Sequence, residues 1–179
     1  MTGVQTCALP ISAVAELKKH TTVLDTIIIN AGILLGEGRI EDLSPADLLK
    51  NLEGNVVGPH IITKAFSPFL LESKAAKKTL AYISSGVGSV GASKQVGEFI
   101  KKMYNVDYIP NGGYATTKTA LNGLGRQWAD SLEPKGIAVI LVHRAPLVLP
   151  FRWVQDADSI LHSWSGAHRH EPRRGPDHG

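Results

Sequence analysis

Cysteine is nearly absent: Cys7 is the only one in 179 residues, so no disulfide can form within the chain. Long apolar runs are missing as well. None approaches the roughly 20 residues that a membrane-spanning helix needs, so no membrane partner is expected. Excess charge of either sign is small: the formal net charge is +3, and no Lys/Arg stripe interleaved with aromatics marks a nucleic-acid surface. His162, His168, His170 and His178 gather near one end without acidic or cysteine partners at ligand spacing, so no metal site is expected. What remains is a chain long enough for one hydrophobic core, too short for two, and expected in the cytoplasm.

Both ends differ from the middle. Residues 1–11, MTGVQTCALPI, lack the basic start and long apolar run of a signal peptide. They resemble the translation of a sequencing-library adapter read from a GTG start. At the other end no lysine follows Lys135, while Arg144, Arg152, Arg169, Arg173 and Arg174 crowd into the last stretch. The closing SGAHRHEPRRGPDHG has almost no apolar residues and is expected to be disordered. The sequence thus divides into a non-native leader (1–12), a body (13–143) and an aberrant tail (144–179).

Within the body, strand and helix patterns alternate. Residues 24–29 form a β-branched run that ends in Asn30-Ala31-Gly32 and predict a buried strand. Ser44 as cap and Pro45 at the first helical position predict a helix over 45–73. Residues 79–84 predict a second strand, followed by a long loop. A helix over 113–132 is stopped by Glu133-Pro134-Lys135-Gly136, and residues 137–142 predict a third strand. Apolar strands joined by long helices imply α/β architecture: a doubly wound parallel sheet covered on both faces.

Open parallel sheets place ligands beyond the carboxyl ends of their strands. Two polar clusters stand at such ends, Asn30-Ala31-Gly32 and Ser84-Ser85-Gly86-Val87-Gly88. A third group, Tyr114-Ala115-Thr116-Thr117-Lys118, opens the long helix. Tyr114 and Lys118 lie four residues apart and so share a helix face. An ammonium beside a phenol favours phenolate, and a tyrosine tuned that way exchanges protons with an alcohol or carbonyl. Tyr and Lys are common enough to fall at that spacing by chance, and Asn-Ala-Gly or Ser-Ser-Gly could each be a plain turn. Their order is more specific. A strand ends in Asn-Ala-Gly, and a helix carries Gly54-Asn55-Val56-Val57-Gly58. The next strand runs into Ser84-Ser85-x-x-Gly88, and a further helix opens with Tyr-x-x-x-Lys-x-Ala-Leu-Asn.

Over residues 13–143 that succession resembles the short-chain dehydrogenase/reductase family, with a weaker likeness to its carbonyl-reductase or ketoreductase branch. The resemblance implies a partial Rossmann-like fold and NAD(P)(H)-dependent interconversion of a small-molecule carbonyl and a secondary alcohol. It makes Tyr114 the acid/base and gives Ser85, rather than Ser84, the task of orienting the substrate oxygen. Lys118 would lower the tyrosine pKa and hold the nicotinamide ribose, and Asn55 would complete a proton relay. Asn30, Ala31 and Gly32 would line the adenine side of the cofactor. A parent of this kind would be a homodimer or homotetramer.

Three departures limit the likeness. The glycine-rich turn that cradles a pyrophosphate is missing, and Gly36-Glu37-Gly38 does not replace it, so the choice between NAD and NADP cannot be read. His143 runs into Arg144-Ala145-Pro146 where the family continues with Pro-Gly. The stretch 89–113 is longer than usual, and reads equally as a substrate-side flap or as a surface insertion. The expectation is an N-terminally truncated, aggregation-prone chain with little activity. The alternatives are a catalytically silent dimerisation fragment and the product of a damaged gene.

Overall fold

Three strands pair in parallel in the order β1 (Thr26–Ile29), β2 (Lys78–Ser84), β3 (Ile137–His143). The computed structural model describes residues 12–36, 38–108 and 112–143. All of these belong to the first of two units, Met1–Arg144 and Ala145–Gly179. The leader 1–11, the tail 144–179 with its histidines, and Glu37 of the Gly-Glu-Gly stretch lie outside the described residues.

A short helix α1 (12–17) precedes β1. Ile27, Leu80 and Val139 stand in register across the sheet, as do Ile29, Tyr82 and Leu141. They form one core with Ile62, Phe66 and Leu70 from one long helix and Leu121, Leu124 and Leu132 from another. The intervening residues point the other way: Ile28, in register with Ala81 and Ile140, is 63% exposed. The sequence predicts a sheet covered on both faces, but among the described residues the two long helices cover one. The reason is topological. The strand order advances in one direction, and right-handed crossovers that advance together place their helices on the same side. The arrangement is a partial Rossmann-like α/β fold.

The helix predicted over 45–73 is divided. Ser44 caps α2 (Pro45–Leu52): its hydroxyl accepts the Asp47 N–H at 3.0 Å, and Pro45 occupies the first turn, where its missing N–H costs nothing. A π-helical turn (Glu53–Val57) then leads into α3 (Gly58–Glu72), with the Gly58 N–H donating five residues back to Glu53. Pro59 explains the change of register in part. It has no N–H to offer the Asn55 carbonyl four residues earlier. Gly54, inside the wide turn, leaves room for Ile33, whose Cδ1 would lie 2.7 Å from an added Cβ.

The long loop expected after β2 contains a helix of its own, α4 (Ser93–Tyr104). Asn105 ends it in the left-handed conformation (φ 54°), a position that asparagine tolerates. The helix α5 (Gly112–Leu132) stops as predicted, in a 3-10 turn over Glu133–Lys135 followed by Gly136 at φ 74°.

Tyr82 sits fully buried at the centre of the sheet. Its hydroxyl is 2.7 Å from Thr63 Oγ1, and Thr63 spends its single proton on the Pro59 carbonyl, so Tyr82 is the donor. Burial pushes this phenol up to about 12, because phenolate is poorly solvated there.

Candidate active site

The Tyr-x-x-x-Lys pair lies on the first turns of α5, beside the carboxyl ends of β1 and β2. Lys118 is almost wholly buried, and its Nζ donates to the Ile83 carbonyl at 2.7 Å. The same Nζ lies 5.3 Å from the centre of the Tyr114 ring. The helical spacing expected from sequence is therefore present, with ammonium and phenol on one face.

The electrostatics differ from the expectation. Burial raises the Tyr114 phenol above its ordinary value, because phenolate is poorly solvated there. Burial likewise lowers Lys118. Desolvation sets the direction for the phenol in this arrangement, in which the ammonium donates to the Ile83 carbonyl.

Asn55, fully buried, grips the segment after β1. Its Oδ1 accepts the Ile33 N–H at 2.7 Å, while Nδ2 donates to the Ile33 carbonyl at 2.8 Å and to Thr117 Oγ1 at 2.9 Å. Thr117 in turn donates to the Tyr114 carbonyl at 2.8 Å. A continuous chain of bonds thus runs from Ile33 through Asn55 and Thr117 to the backbone of Tyr114. Both amide protons of Asn55 are spent in it.

Ser84 and Ser85 face in different directions, as strand alternation requires. Ser84 is 5% exposed and its hydroxyl donates to Asn122 Oδ1 on α5. Ser85 is half-buried at the start of the loop, its Oγ accepting the Val87 N–H at 3.4 Å. That loop is pressed against α5. The Gly88 carbonyl accepts from Thr119 Oγ1 at 3.1 Å and Asn122 Nδ2 at 3.2 Å. A Cβ on Gly88 would come within 2.6 Å of the Lys118 backbone carbon, so only glycine permits this approach.

Gly32, Asn55, Thr117, Tyr114 and Lys118 are brought together, with the Ser85 loop anchored to the same helix. Asn30 and Ala31 are exposed on the strand end and join none of these bonds. The sequence reading missed Asn51, one turn before Asn55 and fully buried. Its signal was a second amide at a spacing of four on a helix face read as apolar. It also missed Thr117 as the link between Asn55 and Tyr114.

The residues present fit the ribose and nicotinamide end of a dinucleotide. An added Cβ on Gly32 would sit 3.3 Å from Asn55 Oδ1 and 3.7 Å from Lys118 Nζ, so the bare backbone keeps space open beside the ammonium. Lys118 has one bond and three protons, which leaves donors for hydroxyl groups. Among the described residues, no cluster of three or more His, Cys, Asp or Glu could hold a metal, and no helix is long and apolar enough to cross a membrane.

A short-chain dehydrogenase, anuI, of Penicillium roqueforti is 32% identical over 124 residues, covering 66% of this chain and 45% of that protein. The carbonyl reductase Sniffer of Drosophila melanogaster superposes with a TM-score of 0.63 at 24% identity, over 76% of this chain and 54% of that one. A short-chain dehydrogenase from Escherichia coli, solved with NADPH, gives 0.61 at 22% identity, over 76% and 49%. The chain spans 65% and 17% of the lengths of two further curated relatives. The family model for short chain dehydrogenases matches residues 8–97, half of the chain, and ends within α4. By that match, and by the parallel sheet and buried amide beneath its helix, the chain belongs to the short chain dehydrogenase family.

Proposed function

We propose that residues 13–143 are the catalytic half of an NAD(P)(H)-dependent oxidoreductase that interconverts a carbonyl and a secondary alcohol. The observation that carries this reading is the placing of Tyr114 and Lys118 on one buried helix face, tied through Thr117 and Asn55 to the end of β1. When bound, the nicotinamide supplies or accepts the hydride. The chain's own residues handle position and the proton. Tyr114 Oη gives a proton to the developing alkoxide, or takes one from the alcohol, and Ser85 Oγ orients the substrate oxygen. Burial raises the Tyr114 phenol above its ordinary value, which favours its neutral, proton-donating form. Lys118 holds ribose hydroxyls with the protons it does not spend on Ile83. The Asn55 side chain is saturated by Ile33 and Thr117, so its part in a water-mediated proton relay to Lys118 falls to its backbone carbonyl, which would accept from the relay water.

The sequence 1–179 contains no glycine turn to aim N–H groups at a pyrophosphate. By itself it is therefore expected to bind dinucleotide more weakly than millimolar and to turn over little or no substrate. Calorimetry with NADH and NADPH tests this, and millimolar or tighter binding with a cooperative melt would overturn it. The chemistry is tested by joining 13–143 to the first strands of a family member and following NAD(P)H oxidation with aldehydes and ketones. Tyr114→Phe should abolish most turnover and leave cofactor binding intact; undiminished turnover would remove Tyr114 from the acid/base role.

A further inference from the structure

We propose that Asn51 is a positioning residue: a second amide clamp that fixes the segment 33–35 against the turn carrying Tyr114. The Leu35 N–H donates to Asn51 Oδ1 and Asn51 Nδ2 donates to the Leu35 carbonyl, both at 2.9 Å. These are the two bonds that a residue of a neighbouring strand would make in a hydrogen-bonded pair. Asn55 makes the same two bonds to Ile33. The spacings match physically. Four residues of α-helix rise about 6 Å, the π-turn that holds Asn55 shortens this somewhat, and two residues of extended chain rise about 6.6 Å. Successive turns of a helix can therefore read alternate residues of an extended strap.

The two clamps differ in what lies behind them. Asn55 passes its spare proton to Thr117, whereas Asn51 abuts Gly113: an added Cβ there would meet Asn51 Nδ2 at 3.4 Å and Leu43 Cδ2 at 2.8 Å. Gly113 immediately precedes Tyr114. Asn51 thus touches the strap on one side and the start of the tyrosine turn on the other, and it is 0% exposed, so water cannot replace its bonds. The inference rests on the proposed function only in treating 32–35 as the wall of a ligand site. The mechanical link between Leu35 and Tyr114 does not depend on it.

The test uses Asn51→Asp in the full chain, read by amide exchange at Leu35 and by the ring resonances of Tyr114. A protonated carboxylic acid can keep both bonds to Leu35, while a carboxylate keeps only the one from the N–H and repels the carbonyl. Wild type at each pH subtracts the titration of nearby groups, of which Asp47 faces Gly36 one turn earlier and Lys118 lies beyond Asn55. The expected result is a rise of about tenfold in Leu35 exchange, beyond intrinsic rates, as the new carboxyl ionises. The Tyr114 resonances should shift with the same midpoint, and Ile33 should stay protected. Movement at Leu35 without movement at Tyr114 would overturn the link, and no movement at either would overturn the clamp. Should the carboxylate form unfold, Asn51→Ser at neutral pH gives the same readings, with Ile33 protection reporting that the fold persists. Because no reading involves a dinucleotide, failure of NADPH to bind would count against the functional reading alone.

Discussion

The segment between β1 and α2 is held at two places by contacts of opposite kind. Toward the sheet, Ile33 and Leu35 are bound on both N–H and carbonyl by Asn55 and Asn51, which are shut away from solvent. Further out, Arg39 Nη2 reaches both carboxylate oxygens of Asp107, at 2.9 and 3.0 Å, and its guanidinium lies 4.7 Å from the centre of the Tyr108 ring. That second contact ties the end of the inserted region to the strap, but both partners are open to water. A buried amide has no alternative partner when its bond breaks, whereas an exposed ion pair has water and salt on both sides. The inner wall of the site is therefore expected to be fixed, and the inserted helix α4 to be adjustable.

Alkaline pH should break the inner side most severely, because it ionises the core beneath the inner wall. The Tyr82 phenol titrates near 12 in the fold and near its ordinary 10.0 when unfolded. The unfolded chain sheds its proton first, so this contribution to stability is full below pH 10 and is lost between pH 10 and 12. Urea midpoints measured across that range should fall steeply, and Tyr82→Phe should flatten the fall while lowering stability at neutral pH through the lost bond to Thr63.

Asn55→Leu is of similar size. It strands the Ile33 N–H and carbonyl and removes the bond that Thr117 Oγ1 accepts, at a cost of about 3 kcal/mol in unfolding free energy. A loss below about 1 kcal/mol would mean that water reaches these groups and that the inner wall is not fixed. Gly88→Ala should cost about 2 kcal/mol, since the added methyl would meet the Lys118 and Thr119 backbone, which cannot rotate aside. Its second signature is loosening of the Ser85 loop, seen as faster amide exchange at Val87.

Arg39→Ala should be the mildest, below about 1 kcal/mol and smaller still in high salt. Its effect should be local, as faster proteolysis within 93–108 with no change at Ile33 or Leu35. Altered protection at the inner residues would show that the two contacts are one unit and would dissolve the contrast.

Much of this could be read from the residues alone. The β-branched run before Asn30, the Ser44-Pro45 cap and the Pro134–Gly136 stop are local signals, set by dihedral preferences and missing N–H groups. They located the ends of these elements to within two residues, though not the π-turn that divides the helix over 45–73. The parallel sheet followed from apolar strands joined by long helices, and the family from the order of Asn-Ala-Gly, Ser-x-x-Gly and Tyr-x-x-x-Lys. Other features depended on which groups meet in space. Asn51 and Asn55 look alike in sequence, and only folding brought a strap of matching rise against them. The sign of the Tyr114 shift depended on how much burial surrounds the phenol, which a spacing of four residues does not specify. Pattern along the chain dictates local conformation and the face that each side chain occupies. Desolvation, paired amides and the side of the sheet that the helices cover arise from contacts between residues far apart in sequence, and those exist only once the chain has closed on itself.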